Sequence, residues 1–184
     1  MDVTDSRVAG RITEGIVMTD KMSIAIAAGG TVLHMVNHSM IKLVLFVCAG
    51  IIYMNLHRLN LNDMKGWGRG KPFLTAVFLL GALDICGIPP FGGYISKTLL
   101  HESIVEYASM LSGGSYFIIK CCEYLFMFTG GLTVAYMTKL FVAIFIEKND
   151  QKDVQGQFDA QKHYMNAGST FALAGSALVL LVWG

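Results

Sequence analysis

The sequence predicts an all-α membrane protein, a polytopic helix bundle with about four transmembrane crossings, one of them discontinuous. Three observations predict it. Of 184 residues, 54% are hydrophobic and only 15% are charged, with a mean hydropathy of +0.54; a soluble domain carries about 25% charge. The chain holds several apolar runs that approach the ~20 residues needed to cross a bilayer. One of those runs is interrupted by Gly87-Ile88-Pro89-Pro90-Phe91-Gly92-Gly93. The same composition excludes disorder, which needs low hydrophobicity and high net charge. It also argues against a nucleic-acid partner, because the net charge is +1 and no basic surface is clustered. Cys48, Cys86, Cys121 and Cys122 have no CxxC spacing and sit within apolar runs, so they read as small buried hydrophobes.

Taken in order, residues 1–21 are mixed and charged, without the continuous apolar core of a signal peptide. They read as a polar N-terminal remnant ahead of a transmembrane domain over residues 22–184. The first span runs from about Met22 to Met54, with a nearly pure apolar core from Leu43 to Tyr53. Its first half carries His34, Asn37, His38 and Lys42, and Gly29-Gly30 is expected to loosen its start. A polar loop, 55–71, precedes an apolar run from Pro72 to Gly87 that is too short to cross comfortably. A second helical stretch extends from Tyr94 to about Leu111. Two prolines remove backbone donors and the glycines relax the chain between them, so one crossing is made of two half-helices with an unwound joint. After the turn 112–115, a long span covers Tyr116–Ile146, with Lys139 as the one charge in its core from Tyr124 onward. The polar loop 147–166 leads to a last run, Ala167–Gly184, just long enough to cross.

Lysine and arginine set the orientation. Loop 55–71 holds Arg58, Lys65, Arg69 and Lys71; loop 147–166 holds Lys148, Lys152 and Lys162; the turn 112–115 holds none. Both basic loops are therefore expected on the cytoplasmic side of a cell membrane. Counting residues 72–111 as two crossings would separate them, which favours the broken single crossing.

A charge at mid-bilayer costs ~2.5–3.5 kcal/mol on insertion scales, so it marks a protein interior or an ion path unless it snorkels. His34, His38 and Lys42 recur at i, i+4 and i+8, a gently spiralling stripe whose neighbours are close enough to exchange a proton directly or through one water. Histidine titrates near neutrality, so the stripe suits proton relay. The plainer reading is a set of histidines bonded to neighbouring helices. A metal site is disfavoured, since the remaining His57, His101 and His163 are isolated in sequence. Lys97 follows the joint, where free carbonyls can hold its charge. Asp84 needs a partner, for which Lys97 or Lys42 are candidates. Lys120 and Glu123, at i and i+3, suit a pair at the rim of their span. Lys139 suits either a relay or a snorkelled position. His101, Glu102 and Glu106 are expected at the outer boundary.

Two motifs carry a resemblance. His34-Met-Val-Asn-His38-Ser-Met-Ile-Lys42-Leu-Val-Leu-Phe46-Val-Cys-Ala-Gly50 resembles the signature helix of the antiporter-like subunits of respiratory complex I, of membrane-bound hydrogenases of the formate hydrogenlyase type, and of multisubunit sodium/proton antiporters. Gly87-Ile-Pro-Pro-Phe-Gly-Gly-Tyr94-Ile-Ser-Lys97 resembles the broken-helix motif of the same family. The resemblance extends from about Gly10 to Ile146. It implies a subunit normally built of two inverted repeats, of which these spans resemble the later helices. It further implies that His34, His38 and Lys42 lie on a central hydrophilic axis, with Lys97 at the outlet of a half-channel. Such subunits hold no redox centre and translocate protons or sodium, driven by partner subunits. The family's first repeat has no counterpart here, and Asp84 stands where small residues are usual. The chain therefore resembles a fragment or a split piece.

The expectation that follows is a proton-translocating piece of a complex I-like or hydrogenase-linked complex, relaying protons through His34, His38, Lys42 and Lys97. It binds no cofactor itself; its partners are the bilayer and other membrane subunits. The alternatives are a sodium/proton antiporter subunit and a structural docking module, for which Gly130 and Gly131 would matter more than the stripe.

Overall fold

The structure is a computed structural model that describes the backbone of residues 3–183 and the side chains of residues 21–182. Among the described residues it is all-helical: α1 (Val3–Leu56), α2 (Leu61–Met64), α3 (Pro72–Cys86), α4 (Gly92–Ser109), α5 (Gly113–Phe141), a π-helical turn (Val142–Ile146), α6 (Lys152–Ala160) and α7 (Ala167–Trp183). Two of these helices are long and apolar enough to cross a membrane alone, Lys21–Leu56 with a mean hydropathy of 1.9 and Gly113–Ile146 with 1.6. Pro72–Cys86 and Ala167–Val182 are shorter apolar helices. The expected polar remnant, 1–21, falls outside the residues whose side chains are described, apart from exposed Lys21.

Contacts along α1 order the two half-helices. Gly30 lies against Leu99 and Leu100, His34 against Ser96, Asn37 against Gly92, and Gly81 against Leu45. Residue numbers fall steadily along α1's flank from α4 into α3, so the half-helices run antiparallel to α1 as one broken traverse. With 15 and 18 residues, they are ~22 and ~27 Å long, and neither matches the ~30 Å hydrocarbon core alone. The expected loosening at Gly29-Gly30 is not found, because α1 is continuous through both. Gly30 instead permits close approach: a Cβ there would stand 3.2 Å from that of Leu99.

The core follows from the same alignment. Ile41, Val44, Cys48 and Ile51 of α1 pack with Leu74, Val77 and Phe78 of α3 and with Leu173, Ala177 and Leu180 of α7. Phe78 continues the core onto Phe141 and Phe145 across centroid distances of 6.4 and 5.2 Å. Outward, α5 exposes Phe117, Ile118, Tyr124, Leu125, Phe128 and Leu132. An apolar face of this extent suits lipid or neighbouring helices rather than water. Cys121 and Cys122 share that face and are exposed, unlike Cys48. The expectation that all four cysteines are buried thus fails for these two, because an apolar run in a membrane helix has a lipid side as well as a packed side.

Both basic loops meet at one end of the bundle. Lys65 pairs with Asp150 (3.0 Å) and Glu147 (3.4 Å), and Gly66 and Gly68 donate their amides to the carbonyls of Ala143 and Ile144 at 2.9 Å each. Those diverted carbonyls lie in the π turn, where the ordinary helical ladder gives way. Trp67 is fully buried at the centre, donating from Nε1 to Gln161 at 3.0 Å. Lys71 is buried beside it, donating to the carbonyls of Trp67 (2.6 Å) and Phe158 (3.4 Å) with Nζ 4.4 Å from the Trp67 ring centre.

This layer should be pH-sensitive. Burial holds the Lys71 ammonium below the ordinary lysine range, against the opposing pull of Asp159, while burial raises the Tyr164 hydroxyl. The hydrogen bond to Asp150 raises Lys65. From Lys71's depressed value up to about pH 10, the unfolded chain binds a proton that folded Lys71 does not, so stability rises with pH. Above about pH 10 the raised groups reverse the slope, because they hold protons folded that they lose unfolded. Thermal unfolding followed by Trp67 fluorescence should show this maximum, and Lys71→Met should remove the rising limb. A rising limb of unchanged slope in Lys71→Met would count against the assignment.

Candidate functional site

The joint forms because each half-helix end leaves backbone groups unsatisfied. α3 stops at Gly87, which takes a left-handed φ of 75° and donates its amide to the Asp84 carbonyl at 2.9 Å; glycine adopts this conformation without a Cβ penalty. Residues 88–91, with Pro89 and Pro90, carry the chain across, and α4 starts at buried Gly92 and Gly93. Phe91, at the N-cap, has no side chain able to cap the new helix.

The two half-helices cap each other. Asp84, 2% exposed on α3, accepts the Gly93 amide of α4 at 2.7 Å. Its carboxylate therefore serves as the missing N-terminal cap and sits at the favourable end of the helix dipole. Lys97 on α4 returns the bond, donating from Nζ to the Ile85 carbonyl at the end of α3 (2.7 Å). Asp84 and Lys97 face each other across the joint, as expected, but the hydrogen bonds of both go to backbone rather than to each other. The physical reason is that each half-helix end leaves an amide or carbonyl there to be satisfied.

α1 completes the site. Asn37 Nδ2 donates to the Gly92 carbonyl at 2.8 Å, while its Oδ1 is buried without a hydrogen-bond partner. That oxygen's residue borders a cavity of about 10 Å³ shared with Asp84, Ser96 and Lys97, about the room one water needs. His34 Nδ1 lies 3.1 Å from Ser96 Oγ, which itself donates to the Gly93 carbonyl at 3.3 Å. The Nδ1–Oγ hydrogen bond ties the imidazole to α4, its direction set by the His34 tautomer. The His34 and His38 rings stand 5.7 Å apart.

A cavity of about 200 Å³ opens beside them, walled by His34, His38, Ile85 and Lys97 on one side and by α5 on the other. The α5 wall presents Phe126, Thr129, Gly130, Thr133 and Tyr136, recurring at helical spacing. The structure thus brings together His34, His38 and Lys97 of the sequence-predicted set. It does not bring in Lys42, which is exposed one turn further along α1, nor Lys139, which is exposed on α5. Lys120 and Glu123 pair as expected, at 2.7 Å. His101, with a side-chain exposure of 34%, approaches Glu123 Oε1 at 3.7 Å. The hydroxyl wall of α5 escaped the sequence reading, although Thr129, Thr133 and Tyr136 at i, i+4 and i+7 were a visible signal. A Cβ added at Gly130 or Gly131 meets nothing within 4 Å, so neither glycine is needed for packing inside this chain.

Residues 14–119 match the family model described as the NADH:quinone oxidoreductase/Mrp antiporter transmembrane family. The chain belongs to this family. Among its antiporter-like relatives, hydrogenase-4 component B of Escherichia coli (strain K12) is 27% identical over 127 residues, covering 69% of this chain and 19% of the relative. Formate hydrogenlyase subunit 3 of the same organism is 25% identical over 145 residues, covering 77% of this chain and 23% of the relative. Chain 5 of the NADH-ubiquinone oxidoreductase of Aedes aegypti is 33% identical over 108 residues, 58% of this chain and 17% of that one. The antiporter-like chain thus spans about a fifth of the length of the curated relatives it matches. No solved structure matches it. The family match covers the joint and the cavity residues His34, His38, Ile85 and Lys97 but ends before the α5 wall, and the chain carries a membrane-embedded, antiporter-like segment of this family.

Proposed function

We propose that this chain relays protons within a redox-driven membrane complex, with residues 22–184 forming its transmembrane domain. The observation that carries the reading is the cavity at the joint, where His34, His38 and Lys97 share one wall. Lys42 lies on the side of His38 nearer the basic loops, and with those loops cytoplasmic it supplies the entry. A proton then passes to His38, to His34, and to Lys97. Lys97, hydrogen-bonded to the Ile85 carbonyl at 2.7 Å, gives the proton up from the wall of the cavity.

Inverted vesicles from native membranes, driven by NADH and by formate in turn, test this reading. Proton uptake per electron, followed by an acridine dye, should fall at least tenfold in Lys97→Met and several-fold in Lys42→Met. Immunoblots would check that the chain is retained. Unaltered stoichiometry in both variants sinks the relay. Uptake that requires sodium would favour the antiporter alternative, and loss of assembly on substituting the exposed α5 face, with the relay variants silent, would favour a docking module.

A further inference from the structure

Beyond the cavity, a second polar group occupies the α4–α5 interface on the side away from the basic loops. His101 follows Lys97 by four residues, so the two share a face of α4 one turn apart, about 6 Å along the axis. The His101 ring stacks on Phe126 with centroids 6.2 Å apart, and Phe126 also lines the cavity that holds Lys97. His101 Nε2 is buried without a hydrogen-bond partner, and the carboxylate of Glu123 stands 3.7 Å away. Glu123 is itself buried at 9% exposure, and its other oxygen holds Lys120 at 2.7 Å. Glu123 is the most enclosed of the three, with a side-chain exposure of 12% against 34% at His101 and 30% at Lys120.

A half-buried histidine that turns a buried, open nitrogen toward a buried carboxylate has no packing purpose that an apolar pair would not serve better. We propose that His101 and Glu123 form the outlet station of the relay, with Lys120 setting its release. This inference rests on the proton-relay reading above. A proton leaving the Lys97 ammonium protonates the His101 imidazole, and its imidazolium passes the proton to the Glu123 carboxylate. The Glu123 carboxyl then releases the proton toward the open end, and its ion pair with Lys120 re-forms. One proton enters and one leaves; Lys97, His101, Glu123 and Lys120 return to their starting charges once Lys97 is reprotonated from His34. Phe126 borders both the cavity and His101, so the two halves adjoin across this ring.

The same native inverted vesicles test it, with each variant's abundance checked by immunoblot. Glu123→Gln should lower proton uptake per electron at least tenfold, and Glu123→Asp, which keeps the carboxylate, should retain at least a third of it. A merely structural ion pair would not show that split in stoichiometry. Lys97→Met run in parallel separates the two readings. If Lys97→Met abolishes uptake while Glu123→Gln and His101→Phe stay within twofold of the unmodified chain, the outlet is overturned and the relay stands. If Lys97→Met has no effect, or uptake does not exceed that of vesicles lacking the chain, the relay fails and the outlet with it.

Discussion

Gly93→Ala is expected to be among the most destabilising single substitutions in the chain, costing about 3 kcal/mol or more in chemical unfolding from detergent micelles. A Cβ at this position would overlap the Asp84 carbonyl oxygen and stand 2.7 Å from Asp84 Oδ1. One of the two obstacles is backbone, so no side-chain rotation relieves the clash. Any shift that did relieve it would pull the Gly93 amide off Asp84 and uncap α4. Asp84 variants dissect the same contact. Asp84→Asn keeps an acceptor oxygen and should lose little stability, whereas Asp84→Leu leaves the buried Gly93 amide unpaired at a cost of about 1–3 kcal/mol. Gly50 provides the contrast. It lies within α1 with nothing within 4 Å of an added Cβ, so Gly50→Ala should stabilise the helix by about 0.5–1 kcal/mol. Equal stability of Gly93→Ala and the unmodified chain would show that the joint does not depend on this close approach.

Trp67→Ala should release the loop layer, at a cost of about 3–5 kcal/mol. Three kinds of contact converge on this one fully buried ring. Its Nε1 donates to Gln161 at 3.0 Å, its edge meets Tyr164 at a centroid distance of 6.1 Å, and its face carries the Lys71 ammonium at 4.4 Å. Removing it loosens the segments 57–71 and 147–166, which stay tied by the surface pair Lys65–Asp150, worth little alone, and by the hydrogen bonds of Asn149 to Lys65, Gln155 to Gly66 and Lys71 to Phe158. Limited trypsinolysis reads the effect directly, since Lys65, Lys148, Lys152 and Lys162 lie in these segments. Cleavage at these lysines should accelerate at least tenfold in Trp67→Ala, with the membrane spans still protected. Trp67→Phe, which loses only the bond to Gln161, should fall between. Cleavage rates indistinguishable from those of the unmodified chain would remove Trp67 from its central place.

The histidine stripe and the joint were legible for a common reason: both are local. Helical periodicity places His34 and His38 on one face whatever surrounds them, and two prolines between glycines interrupt a helix whatever its neighbours. The partner of Asp84 was not legible, because the choice between a lysine and a backbone amide depends on distances across the joint. Lys42 obeys the same periodicity as the histidines yet is exposed, since each four-residue step turns the stripe 40° further from the facing helix. His101 continued the Lys97 face by one turn, but nothing local says that Glu123, twenty-two residues later, lies opposite it.

The sequence by itself determined a membrane helix bundle, its broken crossing, and which residues carry charge at bilayer depth. These follow from the cost of exposing backbone and charge to hydrocarbon, which acts residue by residue. Only the tertiary structure decided which polar groups meet. The reciprocal capping by Asp84 and Lys97, the cavity shared with α5, and the approach of His101 to Glu123 all depend on how antiparallel helices align. Each is a contact across helices, where the partner is whichever unsatisfied group packing brings within reach.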